Sequence, residues 1–182
     1  MLLVLIALLV SPAFAGGADE LAQENGVLEN TQVVLLFLSG IIFTVQSFSV
    51  ERNLRFILWM GAWFCLSSIL RELDVEKLEV QQWVIAIGSG TGRNLIMGFG
   101  WIALCLLAIK SYPEWNGSFR RMARSRTAIF MYSSATILLL GSLFDHGAIS
   151  VDHGKFWEEL FETIGYFLLL PAALLSRSIL RD

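Results

Sequence analysis

The sequence predicts an all-α integral membrane protein, a bundle of about five transmembrane helices behind an N-terminal signal peptide. Two observations carry this prediction. Apolar residues make up 55% of the chain and are gathered into long blocks, while the charged residues, only 16%, lie mostly in the short stretches between blocks. The basic residues, in turn, fall largely on one side of those blocks. Crossing a hydrocarbon core about 30 Å thick takes roughly 20 apolar helical residues, and several blocks approach that length. Only helices and closed barrels satisfy their own backbone groups in lipid. Barrel strands alternate polar and apolar residues, and these blocks do not.

Met1 to Val10 is almost wholly apolar, Ser11-Pro12 interrupts it, and Ala13-Phe14-Ala15 supplies the small residues of an A-x-A cleavage site. Residues 1–15 therefore read as a signal peptide or, because no Lys or Arg precedes the apolar run, as an uncleaved anchor. Either way the polar, acidic segment 16–32 lies outside the cytoplasm. The transmembrane domain is residues 33–182, with spans at about 33–49, 55–71, 83–109, 127–144 and 156–175.

The connecting segments set the orientation. Arg52, Arg55, Lys110, Arg120, Arg121, Arg124, Arg126, Arg177 and Arg181 share one side, against Arg71, Lys77 and Lys155 in or beside the opposite loops. The positive-inside rule assigns the larger set to the cytoplasm, in agreement with an export signal inferred from different residues. The expected location is a bacterial-type inner membrane, N-terminus external after signal cleavage and C-terminus cytoplasmic. Tyr112-Pro113-Glu114-Trp115-Asn116-Gly117 is a turn-rich opening expected to stop the third helix. The basic remainder of that loop suits a short interfacial helix against anionic headgroups. Trp83, Trp115 and Trp157 fall at the proposed membrane boundaries, as an aromatic belt requires. Cys65 and Cys105 lie at different depths and read as packing residues rather than a bridge.

Gly88 and Gly92 form a G-x-x-x-G pattern, expected to let a neighbouring helix approach closely. Local unwinding at these glycines is the alternative. Arg93 follows directly. Charge inside a membrane is costly, so such a residue is a functional hypothesis by default. On a helix running straight from Trp83, Arg93 lies about 15 Å in by the helical rise, and a carboxylate partner is expected. Glu72 and Asp74 at the outer end of the second span supply one pair of candidates, and Glu158, Glu159 and Glu162 on the fifth span supply the rest. Glu158 and Glu162 share a helical face, with Tyr166 one turn deeper.

These residues give the candidate site. Arg93, Glu72, Asp74 and Tyr166 are the substrate- or partner-binding candidates, and Glu162 and Glu159 the acid–base candidates. The repeated triplets Asp145-His146-Gly147 and Asp152-His153-Gly154 add Asp145, His146 and His153, which with Glu158 form a candidate set for Zn²⁺ or another divalent ion. The spacing matches no established metal signature, and the glycines equally fit an exposed loop. An Arg–Glu pair that merely fixes helix packing is the plain alternative to a functional cluster.

No serine–histidine–aspartate order, nucleotide motif or zinc-protease signature is present in the sequence. Three function classes remain. An accessory, assembly or sensing membrane subunit fits the small size and short loops best. A metal-dependent hydrolase or transferase acting on a lipid or envelope substrate is the second, and an oligomeric transporter the third. The expected partners are the bilayer and either another membrane protein or further copies of the chain, with no nucleic acid.

Overall fold

The first apolar block folds as a helix that buries polar residues beside apolar ones while leaving large apolar side chains exposed. Gln32, Ser39 and Ser47 are wholly buried along it, at 0% exposure, while Val34, Phe37 and Val45 stand 57–59% exposed. Water would penalise each bare apolar side chain by an area-proportional term of about 25 cal/mol/Å², and hydrocarbon does not. Apolar side chains left outside with polar ones taken inside are what a lipid solvent permits. The same arrangement recurs further along the chain, where Ser134 is buried and Ile129 and Leu139 are exposed.

The structure is a computed structural model, describing residues 26–50, 55–73, 75, 80–145, 149 and 151–177. The signal peptide expected at 1–15, and the external segment up to Asn25, lie outside the described residues. Among those described, 87% are helical and none is in a strand. The helices are α1 (Val27–Ser47), α2 (Arg55–Glu72), α3 (Gln82–Gly88), α4 (Gly90–Lys110), α5 (Tyr112–Ala123), α6 (Arg126–Asp145) and α7 (Gly154–Leu175). Three are long and apolar enough to cross a membrane, namely α1, α4 and the Arg126–Phe144 portion of α6. Helices α2 and α7 have the length but carry charge, Arg55, Arg71 and Glu72 on the one and Lys155, Glu158, Glu159 and Glu162 on the other.

Three boundaries differ from the sequence expectation, each for a physical reason. Helix α1 starts at Val27 rather than residue 33, because Asn30 and Thr31 satisfy their own side chains on the carbonyls of Gly26 and Val27, at 2.8 and 2.7 Å. The span expected at 83–109 is broken into α3 and α4. Ser89 between them is extended (φ −125°, ψ 162°) and Gly90 takes φ +49°, a left-handed conformation that glycine adopts without strain. Gly88 and Gly92 serve this break. A Cβ on Gly88 would stand 3.0 Å from Val75, and one on Gly92 only 1.8 Å from the Ala86 carbonyl oxygen. The local unwinding alternative is therefore the observed one. Finally, Tyr112–Gly117 is not a turn. Helix α5 opens there after the single residue Ser111, with Pro113 in its first turn, where the missing N–H is not needed.

Two compact units partition the chain. Among the described residues, one gathers those up to Leu36 with those of Arg126–Ala172, and the other holds those of Phe37–Ser125 with those from Ala173 to Arg177.

Candidate functional site

In the first unit the acidic start of α7 meets α1 and α6. Glu159, Thr163 and Tyr166 follow one another at helical spacing on α7, and Glu162 lies on the adjoining stripe. Thr163 is fully buried, Tyr166 2% exposed and Glu162 8% exposed. Opposite them stands Gln32 of α1. Its Nε2 donates to Glu159 Oε2 at 2.7 Å and to the Glu159 carbonyl at 3.1 Å, with Thr163 Oγ1 at 3.3 Å. Three oxygens on one side fix which end of the amide carries the nitrogen. Thr163 Oγ1 in turn donates to the Glu159 carbonyl at 2.8 Å. The other end of the amide, Gln32 Oε1, is buried without a hydrogen-bond partner.

Helix α6 completes this unit. Ser134 Oγ donates to the Gly165 carbonyl at 2.8 Å, and Phe144 stacks on Phe161 with ring centroids 5.5 Å apart. Two glycines set the spacing. A Cβ on Gly141 would meet Phe161 Cβ at 3.3 Å and Glu162 Cγ at 3.5 Å, and one on Gly165 would stand 2.7 Å from Leu138. Close approach of backbones is how helices gain dispersion contact where lipid offers no hydrophobic drive.

The second unit holds Arg93, in the first turn of α4 and not deep along a continuous helix. Its Nη1 donates to the Leu70 carbonyl at 3.1 Å, and its Nε is buried without an acceptor. Leu70 lies in the last turn of α2, where carbonyls have no intrahelical partner. A cation there also answers the helix dipole. The expected carboxylate is thus not the partner of Arg93 among the described residues. Glu72 instead pairs with its neighbour Arg71 at 2.7 Å.

Two further helix ends in this unit are capped the same way. Trp115 Nε1 donates to the Ala108 carbonyl in the last turn of α4 at 2.9 Å, and Gln46 Nε2 donates to the Leu174 carbonyl at the end of α7 at 3.4 Å. Ser176 Oγ, which has one proton to give, lies 2.7 Å from the Ala173 carbonyl and 3.2 Å from Gln46 Oε1.

Of the sequence candidates, Glu162 and Tyr166 are buried in the first unit, and Glu158 and Glu159 are half-buried beside them. His153 sits exposed just ahead of α7, at φ +58°. Asp74 and His146 lie outside the described residues, as does the side chain of Asp145. Among the described residues no three His, Cys, Asp or Glu side chains are grouped to hold a metal ion. Gln32 was not among the candidates. It repeats with Leu28, Leu36, Ser39 and Phe43 at helical spacing, and that stripe was the available signal.

A scan against protein-family models finds no match, and neither do searches of curated proteins and solved structures.

Proposed function

We propose that this chain is a non-catalytic membrane subunit, an accessory, assembly or sensing component that crosses a bacterial-type inner membrane about five times with its C-terminus in the cytoplasm. One observation carries the proposal. The long polar side chains of the second unit, Arg93, Trp115 and Gln46, are spent on last-turn carbonyls of α2, α4 and α7. Arg93, the most conspicuous intramembrane charge, thereby acquires a packing role that needs no substrate.

Crossings by α2 and α7 complete the five. Their 18 and 22 residues span about 27 and 33 Å at 1.5 Å per residue. The charges of α2 lie at its two ends, within snorkelling reach of water, and those of α7 lie in its first half, leaving an apolar remainder.

Complementation decides between subunit and enzyme. A chain carrying Glu159→Gln and Glu162→Gln keeps the shape of both side chains, and an oxygen at 159 able to accept from Gln32, while losing their charge and acid–base capacity. In a strain lacking the protein it is expected to restore the wild-type phenotype, whereas Gly165→Leu, which wedges α6 from α7, fails to. Loss of function in the double amide variant, at unchanged protein level in the membrane, overturns the non-catalytic reading. A reporter active only after export, fused at Asp182, is expected to stay silent; activity inverts the topology.

A further inference from the structure

We infer that α5 is an interfacial anchor that binds the headgroups of anionic phospholipids at the end of α4, an inference that rests on the membrane reading above. Position is the first reason. Only Ser111 separates α5 from Lys110, the last residue of a helix able to cross a bilayer. The Trp115–Ala108 hydrogen bond holds α5 against that end, and the Trp115 ring lies 5.7 Å from Phe56 in the first turn of α2. The end of α4, the start of α2 and α5 are thus at one level. If α4 spans the bilayer, that level is the headgroup region.

Chemistry is the second reason. Tyr112, Trp115 and Phe119 recur at helical spacing, with the Trp115 ring 5.2 and 5.6 Å from the other two. Tyr112 and Phe119 are nevertheless 51% and 54% exposed, an aromatic face covered only at its centre. The segment Lys110–Arg126 carries five basic residues against the single acid Glu114, in a chain whose net charge is −3. Lys110 and Arg124 are exposed. A partner that is apolar and anionic together, lying at the end of a membrane helix, is the acyl–headgroup boundary of an anionic leaflet.

The test uses the full chain in nanodiscs of phosphatidylcholine with or without phosphatidylglycerol, read by amide hydrogen exchange. Exchange in 112–123 is expected to slow in the anionic discs. The slowing should disappear at 1 M salt, where the Debye length falls to about 3 Å. It should disappear too in the Arg120→Gln/Arg121→Gln/Arg124→Gln variant. Each arginine removed weakens attachment about five-fold, the equivalent of about 1 kcal/mol near an anionic surface. Equal exchange in both lipids, or a lipid effect that survives both salt and substitution, overturns the anchor and leaves only aromatic packing on Phe56. Protection of 90–110 in every arm reports that α4 is in the bilayer; rapid exchange there overturns the membrane reading and the anchor with it.

Discussion

Gly100 and Gly98 are two residues apart on α4 and should respond oppositely to the same added methyl. A Cβ on Gly100 would stand 2.0 Å from Trp63 Cζ2 and 2.2 Å from Cε2, whereas one on Gly98 meets nothing within 4 Å. Carbon atoms in contact sit about 3.5–4.0 Å apart, so Gly100→Ala drives a methyl deep into the face of an indole. The ring cannot yield by bending one end, as a leucine does, and must move as a body between α2 and α4. Overpacking of this kind costs about 1–3 kcal/mol, and a rigid ring puts the expectation near the upper figure, roughly a hundred-fold in the folding equilibrium. Gly98→Ala, in open space inside the helix, should instead stabilise by about 0.5–1 kcal/mol. The cycle with Trp63→Ala isolates the cause. Truncating the tryptophan alone costs about 3–5 kcal/mol through the cavity it leaves. In that background the methyl added by Gly100→Ala enters empty space, so its penalty should vanish, a coupling of about 2–3 kcal/mol. Reversible unfolding of the full chain in mixed micelles by sodium dodecyl sulfate, followed by circular dichroism, measures all four species. Equal effects at Gly98 and Gly100, or penalties that simply add, would refute the packing of α2 on α4 described above.

The same unfolding assay checks three smaller effects. Gly90→Ala meets no neighbour and so reports the left-handed backbone alone; it should cost about 1–2 kcal/mol, and a neutral result would mean the break between α3 and α4 does not need φ +49°. Ser134→Ala removes the bond to the Gly165 carbonyl, a loss expected at about 0.6 kcal/mol and no more than about 1.7 kcal/mol for a hydrogen bond between membrane helices. Arg93→Leu leaves the Leu70 carbonyl without its cap and should cost about 1 kcal/mol, with Arg93→Lys retaining part of that; faster amide exchange confined to the end of α2 would mark the cap, and an unchanged α2 end would refute it.

Much of the helical architecture was legible because lipid imposes a simple length rule and a simple polarity rule. The apolar blocks became helices, and three of them meet the requirements of a span. What sequence could not show is where a backbone departs from the rule. A block of apolar residues from Trp83 to Ile109 reads as one helix, since hydropathy is blind to φ, and the glycines that break it match a packing motif equally well. Pro113 misled in the opposite sense. Proline ends helices but also begins them, and the aromatic residues after it at 115 and 119 were the sign of a beginning. Gln32 escaped notice because the expected span begins one residue beyond it. The Leu70 carbonyl beside Arg93 escaped the sequence for a different reason. Counting charges finds the carboxylates, but it does not register the acceptors left over at a helix terminus.

Those leftover acceptors explain why the polar residues go where they do. Each helix ends with four carbonyls that lack an intrahelical donor, and away from water an unpaired one costs as much as a lost hydrogen bond or more. The break between α3 and α4, and the start of α5 directly after α4, multiply such ends. Long donors reached from neighbouring segments answer that need, and Arg93, Trp115 and Gln46 do so at the ends of α2, α4 and α7. Arginine suits the α2 terminus especially, since its charge opposes the negative end of the dipole while its five donors allow one to be used and others to reach the surface. The logic also separates the two units. In the second, donors meet carbonyls in the last turns of α2, α4 and α7. In the first, Gln32 and Ser134 donate to the carbonyls of Glu159 and Gly165, which lie inside α7 rather than at its end. These bonds satisfy no terminal deficit, so what they supply is register between helices. The amide of Gln32, held on one side by Glu159 and Thr163 and left bare at Oε1, is therefore a polar group that the needs of the backbone do not explain.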